Sequence, residues 1–216
     1  MPLPPDLLAV AADTKGFLPD DEATALYDAA VAAGAGAWLE IGTYCGKSTV
    51  HLGGAAREAG AQLITVDHHR GSEENQAGWQ WHDPDLVDPV TGLLETLPSL
   101  RHTLWRADLA DVVSVVVAST EQVAKWWSTP LRFLFLDGNH TEATAQHDYS
   151  AFARHLVVGG TLAVHDVFPD PADGGQPPWH VVQRALGSGA FEQIGQTGSL
   201  RVLRRNAAAG IFAGAG

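Results

Sequence analysis

The chain has 216 residues, 45% of them hydrophobic, and a formal net charge of −12. That length supports one full α/β core, and the acidic balance excludes nucleic acid as a partner, because phosphate contacts need clustered Lys and Arg. The single cysteine, Cys45, excludes an intrachain disulfide, and no apolar run is long enough to cross a bilayer, so no membrane partner is expected.

The start, Met1-Pro2-Leu3-Pro4-Pro5-Asp6, lacks the basic residues and apolar core of a signal peptide, which together with the lone thiol predicts a soluble cytoplasmic protein. Asp20-Asp21-Glu22 followed by residues 23–33 reads as an acid-capped amphipathic helix, with Leu26, Ala30 and Val31 on one face and Gly34 as its stop. Next comes Trp38-Leu39-Glu40-Ile41-Gly42-Thr43-Tyr44-Cys45-Gly46-Lys47-Ser48-Thr49, a buried strand, a tight glycine turn and the start of a helix over residues 47–59. The glycines allow close backbone approach, and the first helical turn leaves amide donors and a partial positive charge facing a ligand. Leu63-Ile64-Thr65-Val66-Asp67 follows as an apolar strand whose closing carboxylate lies at the distance where Rossmann-type folds hold a ribose hydroxyl.

Residues 68–89 fit no regular element; they are polar, contain Trp79, Trp81 and Pro84, and are expected to form a functional lid. The pattern then predicts a short helix over 91–97, a strand over 102–106 and mainly helix over 109–127, although the β-branched residues at 112–113 and 115–117 favour a strand. A helix over 144–156, a buried strand over 161–164 and a helix over 179–186 come next. Residues 191–194 and 200–203 flank Gly195-Gln196-Thr197-Gly198 as a terminal hairpin. Residues 1–206 are expected to form a single domain, with 207–216 a fraying tail.

Two nucleotide readings compete at the glycine turn. Gly46-Lys47-Ser48 looks like the end of a phosphate-binding loop, with Leu134-Phe135-Leu136-Asp137 as its partner strand. Such a loop needs four residues between its glycines, and only Thr43, Tyr44 and Cys45 separate Gly42 from Gly46. Glu40 also repels a triphosphate and suits a cationic ligand, which points to S-adenosylmethionine, whose sulfonium and amino groups are positive.

In these residues the chain resembles the class I S-adenosylmethionine-dependent methyltransferases, in which Glu-x-Gly-x-x-x-Gly closes the first strand and an acid closes the second. Trp105-Arg106-Ala107-Asp108-Leu109 resembles the family's third strand end, whose acid lies beside the adenine. Residues 133–140 and Gly159-Gly160-Thr161-Leu162-Ala163-Val164-His165-Asp166 resemble the fourth and fifth, so the likeness spans residues 35–205. Asp-Gly-x-His followed by Gly-Gly-x-Leu-x-x-His-Asp is similar to the branch of sugar O-methyltransferases. The resemblance implies a Rossmann-like α/β fold: a mainly parallel sheet with a C-terminal antiparallel hairpin and helices on both faces. It implies a cofactor site of Glu40, Ile41, Gly42, Thr43, Gly46, Ser48, Asp67 and Asp108, and Mg2+-assisted methyl transfer to a carbohydrate hydroxyl. A small aromatic or catechol acceptor and a non-catalytic S-adenosylmethionine-binding module are the alternatives. A dehydrogenase is disfavoured because Gly42-x-x-x-Gly46 lacks the middle glycine that admits a pyrophosphate.

Ligands of open α/β sheets bind outside the carboxyl ends of the strands, so Glu40, Asp67, Asp108, Asp137, His165 and Asp166 are expected along one rim. Asp137 and Asp166, if brought together, repel unless a cation lies between them. Mg2+ suits such oxygen ligands while keeping water positions open; the plainer reading, a helix-capping acid and a solvated one, is outweighed by the resemblance. A sugar hydroxyl also needs a base. His140, three residues after Asp137, is the first candidate and His165 the second, against a purely structural hydrogen bond for His140. His68-His69 with His140 and His165 could instead form a Zn or Fe site. Trp79 and Trp81 offer either a stacking platform for a sugar or, more plainly, a contact in a homodimer or an anchor for the loop. Cys45 reads as a small buried filler, and Trp126-Trp127 as core and surface packing.

Overall fold

The computed structural model describes residues 2–79, 81–139 and 141–206. Seven strands build one sheet: β1 (Ala37–Ile41), β2 (Gln62–Asp67), β3 (Val113–Val117), β4 (Leu131–Leu136), β5 (Leu156–Val164), β6 (Phe191–Thr197) and β7 (Leu200–Arg205). Their order across the sheet is β3-β2-β1-β4-β5-β7-β6. The first five run parallel, and β7 pairs antiparallel with both β5 and β6, as the hairpin pattern predicts.

Side-chain alternation sorts the core into two layers. Trp38, Leu63, Phe133, Phe135 and Val202 face one side, packed under helices α1 (Pro5–Asp13), α2 (Asp20–Ala33), α3 (Lys47–Ala59) and α4 (Leu97–Arg106). Leu39, Val66, Leu134, Leu162 and Leu203 face the other, with α5 (Thr120–Ala124), α6 (Glu142–Phe152) and α7 (Pro177–Gly187). Helix α2 begins on its acids and stops at Gly34, whose φ of 76° is left-handed. Helix α1, which no sequence signal brought out, docks on α3 where Gly54 leaves room for Leu3 and Leu7.

The middle of the chain departs from the sequence reading. Residues 102–106 belong to helix α4, not to a strand; Pro98 sits in its first turn, where no amide partner is needed, and Leu100, Thr103 and Leu104 bury one helical face. The third strand lies at Val113–Val117, inside the stretch read as helix, because its β-branched run fits a pleated surface. The expected helix over 91–97 is displaced too, since α4 starts only at Leu97. Residues 68–89 carry two single-turn 3-10 helices, Glu73–Asn75 and Pro84–Leu86, and Val87 bridges Leu94. The tail 207–216 lies outside the described residues. Among the described residues no helix is long and apolar enough to cross a membrane.

Candidate active site

The loop after β1 is shaped by contact as well as by glycine's freedom. Gly42 has a φ of 88°, and a Cβ there would collide with the backbone carbonyl of Asp137 after β4. Gly46, with φ 97°, caps α3, and a Cβ there would press on Leu100. Thr43 and Ser48 are buried beside this loop, and both line the cleft above it together with Ile41 and Gly42.

Glu40 departs from expectation. It is wholly buried beneath the loop, where Oε1 accepts from Ser48 Oγ at 2.6 Å and Oε2 from Thr49 Oγ1 at 2.8 Å. Burial pushes its carboxyl up to about 7 against the opposing hydroxyls of Ser48, Thr65 and Thr49, with the charge of Asp137 adding to the rise. It therefore anchors the start of α3 from below and presents no surface to a ligand. Asp67 stands at the rim as expected and ties the loop down: Oδ2 accepts the amides of Thr43 and Tyr44, each at 2.9 Å, and Oδ1 that of His69 at 2.7 Å.

Asp108 is not at the rim. It follows α4 and precedes β3, at the opposite end of that strand, with its carbonyl oxygen accepting from Arg57. The third-strand likeness placed it there only because residues 102–106 were read as a strand; with those residues helical, the carboxyl end of the real strand is Val117, followed by Ala118, Ser119 and Thr120 in the cleft wall.

Asp137, His165 and Asp166 do converge. Oδ1 of Asp137 lies 3.1 Å and Oδ1 of Asp166 3.5 Å from Nδ1 of His165, and one ligand atom from each residue falls within 4.8 Å of the others. The Asp166 backbone is left-handed, with φ 54°. On the far face of the imidazole, Nε2 meets Oε2 of Glu22 at 2.7 Å. Burial alone would discharge His165, yet the charge and hydrogen bond of Asp137, with Asp166 and Glu22, push it up to about 12. It thus holds its proton at neutral pH. The oxygen-rich set fits a hard divalent cation, which would take the proton's place at Nδ1. His140 lies outside the described residues.

Among the described residues the Zn or Fe alternative is not assembled. Nδ1 of His69 bonds to Thr96 Oγ1 at 2.7 Å, and His68 is exposed. Cys45 is a buried filler packed with Leu86 and Leu94, its thiol pushed up to about 11 by burial. Trp127 packs on Phe152, while Trp126 stays at the surface.

A cleft of about 1390 Å3 runs over these strand ends. That exceeds the roughly 300–1,000 Å3 of an ordinary small-ligand pocket and leaves room for two ligands side by side. Its outer wall joins the α1–α2 connection to residues 68–89: Phe17 packs on Trp81 at 5.0 Å and on Tyr44 at 5.5 Å, and Lys15 Nζ reaches Asp83 at 2.6 Å and Asp85 at 3.2 Å. Glu22, Phe17 and Lys15 carried no sequence motif; only the isolated cluster of Lys and Phe between two helices could have drawn attention to them.

A family model described as a methyltransferase domain matches residues 39–167. The chain belongs to this methyltransferase family. The match begins inside β1 and ends just after the His165–Asp166 pair, so it contains the whole rim. Solved structures agree on the fold. SAH-bound methyltransferase PaMTH1 of Podospora anserina superposes with a TM-score of 0.66 at 14% identity, covering 96% of this chain and 90% of that one. An O-methyltransferase from Bacillus cereus in complex with SAH gives 0.63 at 17% identity, with 95% and 93% covered. The O-methyltransferase TomG of Streptomyces achromogenes, involved in tomaymycin synthesis and in complex with SAM, gives 0.61 at 16% identity, with 94% and 91% covered. The methyltransferase described here thus has the Rossmann-like sheet and terminal antiparallel hairpin of this fold.

Proposed function

We propose that this methyltransferase transfers the methyl group of S-adenosylmethionine to a hydroxyl oxygen of a small molecule, assisted by a divalent cation of the Mg2+ type. The observation that carries the reading is the convergence of Asp137, His165 and Asp166 beside the Gly42 cradle. When bound, the sulfonium supplies an electrophilic methyl carbon and the cation lowers the pKa of the acceptor hydroxyl. This chain's residues do the rest. Gly42, Thr43, Gly46 and Ser48 shape the donor's seat, and Asp67 stands where the ribose of the donor would lie. Asp137 and Asp166 would hold the cation, and the acceptor oxygen must approach the methyl carbon in line. With Nδ1 given to the cation and Nε2 facing Glu22, His165 would help to position the site and has no free nitrogen to take up a further proton. His140, three residues past Asp137 in the chain, is the base we assign on sequence position.

For the acceptor we favour a carbohydrate hydroxyl. The Asp137-Gly138-x-His140 and His165-Asp166 motifs resemble the sugar branch, the 1-OH of a methylmannoside in polysaccharide biosynthesis being its most specific form. The flat faces of Trp79 and Trp81 on the cleft wall suit a sugar ring. A second reading, a catechol or natural-product acceptor, is favoured by the continuous aromatic contact of Phe17, Tyr44 and Trp81.

Calorimetry with S-adenosylhomocysteine, ATP and NAD tests the donor, and methyl transfer to neutral sugars and catechols with Mg2+ or a chelator tests the rest. We expect S-adenosylhomocysteine alone to bind, and turnover to stop on chelation and in Asp137→Asn and Asp166→Asn. ATP binding without S-adenosylhomocysteine binding would overturn the assignment.

A further inference from the structure

The sheet order divides the cleft into two ends. The loops that shape the donor's seat follow β1 and β2, the Asp137 and His165–Asp166 pair follows β4 and β5 at the centre, and β7 lies beyond β5 on the other side. Arg201, near the start of β7, pairs in register with Val164, the residue before His165. It lines the same cleft, as do Phe168, Pro169 and Pro178.

This arginine is only 5% exposed, and its hydrogen bonds are few. Nη1 donates to the carbonyls of Gly198 at 2.8 Å and Leu200 at 3.1 Å, which seats the guanidinium against its own turn. Nε and Nη2 have no acceptor among the described residues, and no described carboxylate forms an ion pair with it. The anion whose charge it feels is Glu22, which is already committed to His165 and to the amide and hydroxyl of Ser199. A guanidinium enclosed to this extent, with two donor nitrogens left to the cleft and its neighbouring carboxylate already engaged, is completed most strongly by an anion. Its planar fork of donors matches a carboxylate or a phosphate in two-point contact.

We propose that Arg201 recognises an anionic oxygen group, carboxylate or phosphate, carried by the methyl acceptor. The inference rests on the methyl-transfer reading and narrows its acceptor to an acidic one. The hydroxyl to be methylated lies over Asp137 and Asp166, and the anionic group extends away from the donor, past β5, to the fork on β7.

The test is ligand-observed NMR on the full chain, with and without S-adenosylhomocysteine, in the presence of EDTA so that no metal holds the anion. The probes are glucose, glucuronate, glucose 6-phosphate and inorganic phosphate. We expect one acidic sugar to bind at least about tenfold more tightly than glucose, in line with a charge-assisted hydrogen-bond pair. Glucuronate and glucose 6-phosphate separate a carboxylate from a phosphate, and inorganic phosphate shows whether the anion suffices. Arg201→Gln should bring the acidic and neutral sugars within about twofold of each other while S-adenosylhomocysteine affinity is kept. Arg201→Lys, which keeps the charge and loses the fork, should retain less than about a third of the advantage. No anion advantage in the unaltered chain, or an advantage that survives Arg201→Gln, overturns the inference. Failure of S-adenosylhomocysteine to bind overturns the donor reading instead, since the sugar preference is measured separately without it.

Discussion

Nε2 of His165, at the end of β5, lies 2.7 Å from Oε2 of Glu22 in the first turns of α2. A helix outside the matched methyltransferase region thereby holds the residue that stands between the two aspartates. Burial would raise the Glu22 carboxyl, but the bond and charge of His165 with the amide of Ser199 hold it below its ordinary range. The lowered acid contributes stability that is present above its unfolded value and is lost as pH falls through the folded one. The raised histidine contributes stability that is full below its unfolded value and is lost as pH climbs toward about 12. The pair is therefore intact across neutral pH. Glu22→Ala removes the partner of Nε2 and the acceptor of the Ser199 amide and hydroxyl, while His165 keeps its two aspartates, so the substitution should cost about 1–3 kcal/mol in urea unfolding at pH 7; no measurable loss would show that the pair is not coupled.

Gly42→Ala tests the cradle. The added methyl meets the Asp137 carbonyl and the backbone is left-handed at this position, so both loops must shift. S-adenosylhomocysteine affinity should fall at least about 100-fold, a loss of about 3 kcal/mol, and calorimetry on variant protein with a native circular dichroism spectrum reads it directly.

Asp148, on α6, is buried beside the cleft, and burial pushes its carboxyl up to about 7, with a hydroxyl bond from Thr120 opposing the shift and the charge of Glu121 adding to it. The folded state holds this proton more tightly than the unfolded chain, so the stability it supports is lost as pH rises from about 4 to about 7. Asp148→Asn has no such proton to lose. Over that interval the variant should gain on the order of 2–4 kcal/mol relative to the unaltered chain, read as the difference between their denaturation midpoints; parallel curves would contradict it.

Asp108→Asn provides the reciprocal check on the corrected third strand. With Asp108 at the amino end of β3 and away from the cleft, the substitution should leave S-adenosylhomocysteine affinity within about twofold, a change under about 0.5 kcal/mol. A tenfold loss in calorimetry would restore the adenine role.

Much of the rim could be read from the chain because its residues stand next to the turns that place them. Gly42 and Asp137 directly follow β1 and β4, Asp67 closes β2, Asp166 stands two residues past β5 and Gly46 ends the turn that leads into α3, and strand ends on a parallel sheet share one edge. Glu40 was misjudged because its direction is set by tertiary bonds to Ser48 and Thr49, which spacing along a strand does not reveal. Asp108 was misjudged because Trp105-Arg106 looks like a strand end while the burial of Leu100 and Leu104 makes it helical. Glu22, Phe17 and Arg201 reach the cleft from α2, a connection and a terminal hairpin. Their parts arise from long-range packing that no local pattern encodes.

The backbone contact of Gly42 with Asp137 has one further consequence. Under the methyl-transfer reading proposed above, it makes the gap between the two reactants a property of main-chain spacing, independent of whichever side chains surround the second of them. Those surrounding side chains lie largely on connections, residues 15–19, 68–89 and 167–176, that can be exchanged without retuning the gap. A lineage built on this frame can change what it modifies while leaving the reaction distance untouched.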